Sequence, residues 1–286
     1  MYYSRRKLPL EVADRLLEVS IERIQAFHLM YSPVYLFLKK NSKFISVKAP
    51  LDFFVPSELD QLKSLKSLYF PEFLQSVKPI KFAAQKVKDI LSAKMVLPWK
   101  NSDGSSLELL LTKIPYEISN EVLKILGPLW WDELGNDVCL EPFYVAVFVN
   151  ELCDPIPEAN LLHSREASVD DYEAALLLSS WMVFLSLHLG YSDIEFLNDL
   201  RVQIFQARLD NKQVEILDPE LNKLIQLVGA SLGNPDSIKS FNGNLFLSYP
   251  DKISQKLGSR LNRVKKELVS KGTPPSIFGA RGFIDE

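Results

Sequence analysis

The residues best suited to chemistry are few and poorly spaced for it. Thirteen residues lie between Cys139 and Cys153, and nine more separate Cys153 from His163. A structural zinc site draws its ligands as close pairs, so that each short loop presents two donors to one tetrahedral ion. No such pair exists here. A catalytic thiol needs a neighbouring base to form the thiolate, and no local pattern supplies one. The two cysteines therefore read as ordinary core residues. An acidic block is the other candidate: Glu133, Asp137, Glu141, Glu151, Asp154, Glu158, Glu166, Asp170, Asp171 and Glu173. Converging carboxylates can hold a hard cation or perform acid–base work. With His163 or His188 they form the ligand set that a metal-dependent phosphodiesterase would need. The Asp-x-Asp-x-Asp-Gly calcium pattern is absent, and a solvated loop face or a surface for a basic partner is the expected reading. The Walker A motif, Gly-x-Gly-x-x-Gly after a strand, Gly-x-Ser-x-Gly and His-Glu-x-x-His are also missing.

Binding rather than catalysis is suggested at two other places. Ile253, Leu257, Leu261, Val264 and Leu268 form an apolar stripe between Asp251 and Lys271. Lys252, Lys256, Arg260, Arg263, Lys265, Lys266 and Lys271 fill much of the remaining surface. A basic amphipathic helix packs on its own domain or meets a protein partner or an anionic membrane surface. Trp130 and Trp131 are a candidate aromatic anchor, since tryptophan is enriched at interface hot spots. The candidate partner-binding residues are thus Trp130, Trp131, Arg260, Arg263, Lys265 and Lys266. No catalytic residue, metal ligand or cofactor is assigned, and no nucleic-acid partner is expected.

The elements that would position these groups follow from periodicity. Pro9 and the spacing of Leu10, Ala13, Leu17, Ile21, Ile24 and Phe27 predict a helix over 10–27. Val34–Leu38 and Lys43–Lys48, around Lys39-Lys-Asn-Ser, predict a hairpin. Ser57 is the expected cap of a helix that Asp60 continues. Ser67-Leu-Tyr-Phe reads as a strand and Ile80–Ala93 as a helix. Asn101–Ser106 reads as a turn, Glu117–Leu126 as a helix and Trp130 onward as a loop. The β-branched and aromatic run Phe143–Val149 predicts a buried strand. Cys153-Asp-Pro-Ile-Pro is irregular. Asp170–Leu189 is a long helix, apolar all round, and its expected place is the core; a membrane segment is the alternative, opposed by acidic flanks and by Ser179, Ser180, Ser186 and His188. Ser192-Asp-Ile-Glu195 reads as a capping box opening a helix to Leu209. Asp218-Pro219-Glu220 opens another, ended near Leu232 by Gly233-Asn-Pro.

These elements predict an α+β protein. A mixed α/β domain over 1–100 precedes a connecting region over 101–168, a helical domain over 169–271 and a flexible tail over 272–286. The 286 residues carry 24% charged and 47% hydrophobic side chains, ordinary for a globular protein. Net charge is −3, but residues 132–173 hold 1 basic and 11 acidic groups, while residues 1–131 hold 19 and 13. Two cysteines fit a reducing compartment. The first residues lack the apolar run of a secretory signal, so the expected location is the cytoplasm.

Leu189-Gly-Tyr-Ser-Asp-Ile-Glu-Phe-Leu-Asn-Asp-Leu-Arg-Val-Gln-Ile-Phe, following a long helix, resembles the HD-domain superfamily, particularly its HD-GYP branch. The resemblance covers about 40 residues. It implies a helix ending in Leu-Gly, a short turn and a second helix, and in some members of that branch a small α/β domain ahead of the helical one. The family's His-Asp metal doublet has Gln206-Ala207-Arg208 in its place, and the Gly-Tyr-Pro segment has no counterpart. His163 lies 26 residues before Leu189, too far to stand for the family's first histidine. No site residue carries over. The resemblance implies a degenerate member that keeps the helical fold without the metal chemistry. The expected function is a non-catalytic regulatory or scaffold protein working through protein contacts. A nucleotide-binding module with an unrecognised site joins the phosphodiesterase among the alternatives.

Overall fold

The computed structural model describes residues 16–71, 77–94, 122–126, 142–212 and 219–232, with Ser259, Lys266 and Ser270. The chain forms two compact units. The first is Met1–Lys78 with Pro157–His163, and the second is Pro79–Ile156 with Ser164–Glu286. The architecture is α+β, with one antiparallel sheet early and helices later.

The first unit holds β1 (Leu16–Ser20), β2 (Val34–Leu38), β3 (Lys43–Lys48), α1 (Pro56–Leu62) and β4 (Ser67–Pro71). The sheet order is β1-β4-β2-β3, antiparallel throughout. The expected hairpin is present: Phe37 faces Phe44 and Leu38 faces Lys43, and a single 3₁₀ turn at Lys39–Asn41 joins the strands. Ser42 closes that turn at φ 48°, the left-handed region. Alternation sends Val34, Leu36, Val47, Leu68 and Phe70 to one face. There they pack with Ile21, Phe54 and the α1 residues Leu59 and Leu62. On the other face Phe37, Phe44 and Tyr69 pack with ring centroids 4.9 to 6.3 Å apart.

The helix expected over 10–27 is not formed where it is described; residues 10–15 lie outside the described residues. Leu16–Ser20 is a strand, and only Ile21–Arg23 turns, as 3₁₀. The spacing of Leu17, Ile21 and Ile24 suits a helix, but pairing of all five β1 residues with β4 overrides that preference. The α1 cap is also corrected. Helix α1 starts at Pro56, whose missing N–H suits the first turn. Val55 precedes it, and the Glu58 carboxylate accepts the Val55 N–H at 2.9 Å. Ser57 is inside the helix.

The second unit is helical: α2 (Lys78–Lys94), α3 (Pro142–Leu152), α5 (Val169–Leu189), α6 (Ile194–Leu209) and α7 (Pro219–Leu232); α4 (Glu158–Ser164) falls between α3 and α5 in the chain but groups, up to His163, with the first unit. Residues 122–126 are also helical, as expected. Helix α2 groups with this unit, so the first unit is smaller than the expected 1–100 span. Its buried Ile80, Ala83, Ala84, Val87 and Leu91 recur at helical spacing, and Lys81 pairs with Glu151 of α3 at 3.0 Å. The strand expected at Phe143–Val149 is instead helix α3, buried from Val145 to Val149. A short apolar run carries no period that separates a buried strand from a buried helix. Packing against α5 decides it, with Phe148 and Phe184 meeting edge to face at 5.5 Å.

Helix α5 is the centre of this unit and packs against α3, α6 and α7. It is the one described helix long and apolar enough to cross a membrane, yet 78% of its most apolar stretch is buried inside the protein. Its ends are set locally. The Ser168 hydroxyl accepts the Asp171 N–H at 3.1 Å. Gly190 ends it at φ 103°, where a side chain would clash. Helix α6 then opens at Asp193, whose carboxylate accepts the Phe196 N–H at 3.1 Å. The cap is Asp193 rather than Ser192. Helix α7 runs over the expected span, Pro219–Leu232.

Candidate functional site

Several chemically capable side chains among the described residues of the second unit are engaged in its own architecture. On α5, Ser179 and Ser180 donate to the Leu176 carbonyl at 3.0 and 2.7 Å, and Ser186 donates to the Met182 carbonyl at 2.6 Å. These bonds satisfy hydroxyls that an apolar interior would otherwise penalise. The His188 ring nitrogen Nδ1 lies 2.7 Å from the Phe184 carbonyl, and the ring sits 4.6 Å from that of Phe184. His188 is 1% exposed. Cys153 is a buried free thiol at the end of α3. Burial pushes it up to about 11, against the opposing pull of Arg201. A thiol held there stays protonated and unreactive at neutral pH.

Among the described residues the one fully buried charge, Arg201, supports the Pro-rich segment after α3. Arg201 of α6 donates through Nη1 to the Asp154 carbonyl and through Nη2 to Asn150 Oδ1, both at 2.9 Å. Asn198, one turn earlier on the same face, accepts the Asp154 N–H at 3.0 Å and donates to its carboxylate at 2.7 Å. Asp154 is thereby held by backbone and side chain at once. The sequence gives no hint of this clamp beyond one arginine amid apolar α6 positions.

The described part of the acidic block does not converge. Glu151 pairs with Lys81, Asp154 with Asn198, and Asp171 with Ser168 and, at 3.5 Å, Arg208. Among the described residues no three of His, Cys, Asp and Glu come together to hold a metal ion. His163 lies exposed on α4. Trp130, Trp131, Arg260, Arg263 and Lys265 lie outside the described residues, as do Cys139, Glu133, Asp137, Glu141, the Asn101–Ser106 turn and the 272–286 tail. Ser259, Lys266 and Ser270 are helical and exposed.

In the first unit one described lysine is buried, and three exposed ones cluster at the hairpin tip. Lys48 is 5% exposed, its Nζ is 2.9 Å from both Glu58 oxygens and 3.7 Å from Asp52, and it lies 5.0 Å above the Phe54 ring. It ties the end of β3 to α1. Lys39, Lys40 and Lys43, at the hairpin tip, are exposed and form no ion pair among the described residues. No acidic residue occurs between Glu22 and Asp52 in the sequence. That charge asymmetry was legible, but Lys39 and Lys40 read only as turn residues and Lys43 as the start of a strand. On β4, Tyr69 is raised from its ordinary value by burial and by the Glu18 carboxylate, which also accepts the Ser67 hydroxyl.

No family model matches the chain, and neither a curated protein nor a solved structure does.

Proposed function

We propose that the protein acts through protein–protein contacts, as a regulatory or scaffold component. The observation that supports this most directly is the fate of the reactive side chains. Ser179, Ser180, Ser186 and His188 bond to carbonyls of their own helix, and Cys153 is buried and protonated. A general base or nucleophile must reach a substrate and change protonation state near working pH. Engaged in this way, these groups serve the fold. Positive charge, by contrast, stands unpaired among the described residues at the exposed β3 hairpin, where it can meet a partner. A degenerate HD-type domain, the resemblance of the 189–205 segment, fits this reading, because Gln206-Ala207-Arg208 stands where that family places its metal doublet. A reducing, cytoplasmic setting fits the free thiol of Cys153.

Elemental analysis of the purified protein, joined to a hydrolysis assay on bis(p-nitrophenyl) phosphate with added manganese, tests the reading. Substoichiometric metal and a rate equal to that of manganese alone are expected. Stoichiometric zinc, iron or manganese, with hydrolysis lost on chelation, would replace the scaffold reading by the phosphodiesterase one.

A further inference from the structure

We propose that β3 is a docking strand, and that its ligand is an extended acidic segment of a partner protein that adds to the sheet edge. The inference rests on the contact-protein reading and deepens it. Strand β3 ends the order β1-β4-β2-β3, so one of its edges pairs with β2 and the other has no strand among the described residues. A strand edge of this kind presents a row of N–H and C=O groups to any extended chain. Solvent reaches it on both faces: Lys43, Ile45 and Ser46 are all exposed, Ile45 to 41%.

Charge selects the occupant. The β3 sequence, Lys-Phe-Ile-Ser-Val-Lys, contains no carboxylate. A second copy of β3 therefore brings nothing to neutralise Lys43, and lysines at an edge act against such self-pairing. An acidic strand gains where a second copy does not, because Lys39, Lys40 and Lys43 form no ion pair among the described residues. The side-chain period fixes the pattern further. Lys43, Ile45 and Val47 share one face, and Val47 packs against the core of the unit. An apolar residue opposite Ile45 extends that core, and a carboxylate two positions away falls opposite Lys43. Further carboxylates beyond it meet Lys39 and Lys40 at the turn. The recognised segment is thus a short apolar–x–acidic strand running into an acidic stretch.

The test uses the full chain and a fluorescein-labelled peptide of about ten residues, alternating valine and threonine at one end and rich in glutamate at the other. Anisotropy is read at about 20 mM and 150 mM salt. Binding is expected, weaker at the higher salt, with at least about tenfold loss in the K39E/K40E/K43E variant, since three exposed pairs are removed and reversed. All three lysines are exposed, and far-UV circular dichroism checks that the variant folds. Two peptides N-methylated on opposite strand edges require no protein variant. One should lose binding and the other keep it, because only one edge can hydrogen-bond to β3. Equal binding of both would overturn strand addition, as would no binding of the parent peptide at low salt. Stronger binding of an oligothymidylate of equal charge would mark a general polyanion surface and overturn it too. Each of these failures leaves the metal and hydrolysis results, and the contact-protein reading they test, untouched.

Discussion

Replacing Arg201 by methionine should destabilise the helical unit by about 2–4 kcal/mol. The guanidinium is fully buried and donates two bonds of 2.9 Å, to the Asp154 carbonyl and to Asn150 Oδ1. Hydrogen bonds from a charged donor contribute roughly 1.5–3 kcal/mol each, which sets a gross loss of about 3–6 kcal/mol. Methionine keeps most of the stem packing and removes a charge from the interior, which returns part of that loss. The return is incomplete because both bonds are part-buried, so water replaces the lost donor only in part. Arg201→Lys can reach one acceptor at a time and should lose about half as much. Asn198→Ala, at a more exposed position, should cost about 1 kcal/mol. Because Asn198 and Arg201 share Asp154, the double variant should depart from additivity. Urea unfolding followed by far-UV circular dichroism and by the fluorescence of buried Trp181 on α5 measures these values. A loss below about 1 kcal/mol for Arg201→Met, or a gain in stability, would refute the reasoning: the guanidinium would then be a desolvation burden rather than a clamp.

Two further outcomes follow from the buried groups. Cys153 is held up at about 11, above an ordinary thiol value of 9.0, so its proton is bound more tightly in the folded state. Its contribution is complete below the unfolded value and is lost as pH rises from about 9 to 11, amounting to some 2–3 kcal/mol. Titrating unfolding midpoints over that range should show a steeper fall for the parent protein than for Cys153→Ala; parallel curves would contradict it. At the Lys48–Glu58 pair the two deletions should be unequal. Glu58→Ala strips its closest partner from an ammonium that is 5% exposed and also removes the acceptor for the Val55 N–H, costing about 2–3 kcal/mol. Lys48→Met leaves a carboxylate that is 37% exposed and can hydrate, costing under about 1 kcal/mol. The reverse order in thermal unfolding would show that the pair does not act as described.

Much of this architecture was legible because it rests on local chemistry. The α5 and α7 boundaries follow from a serine or Asx-Pro start and a glycine stop, signals that act within one turn. The β2–β3 hairpin follows from two apolar runs around a polar turn. What failed was decided over distance. Leu16–Ser20 has apolar residues at helical spacing, and only the partner strand β4, some fifty residues later, makes it a strand. Phe143–Val149 has strand propensity, yet burial among helices makes it α3. The candidate site shows the same division. The charge segregation was readable, but Lys39, Lys40 and Lys43 gain meaning only once β3 ends the sheet among the described residues. Arg201 likewise gains its role only from the packing of α6 beside Asn150 and Asp154.

The central claim is that the protein works through its surface while its reactive groups serve its fold. Allele replacement in the native cell tests this directly, with Cys153→Ala and Ser179→Ala on one side and the K39E/K40E/K43E variant on the other, all expressed at the parent level. The account predicts that the first two preserve the cellular phenotype and that the third reproduces the deletion. Loss of function from Cys153→Ala or Ser179→Ala in a protein that still folds, with the lysine variant unaffected, would contradict it.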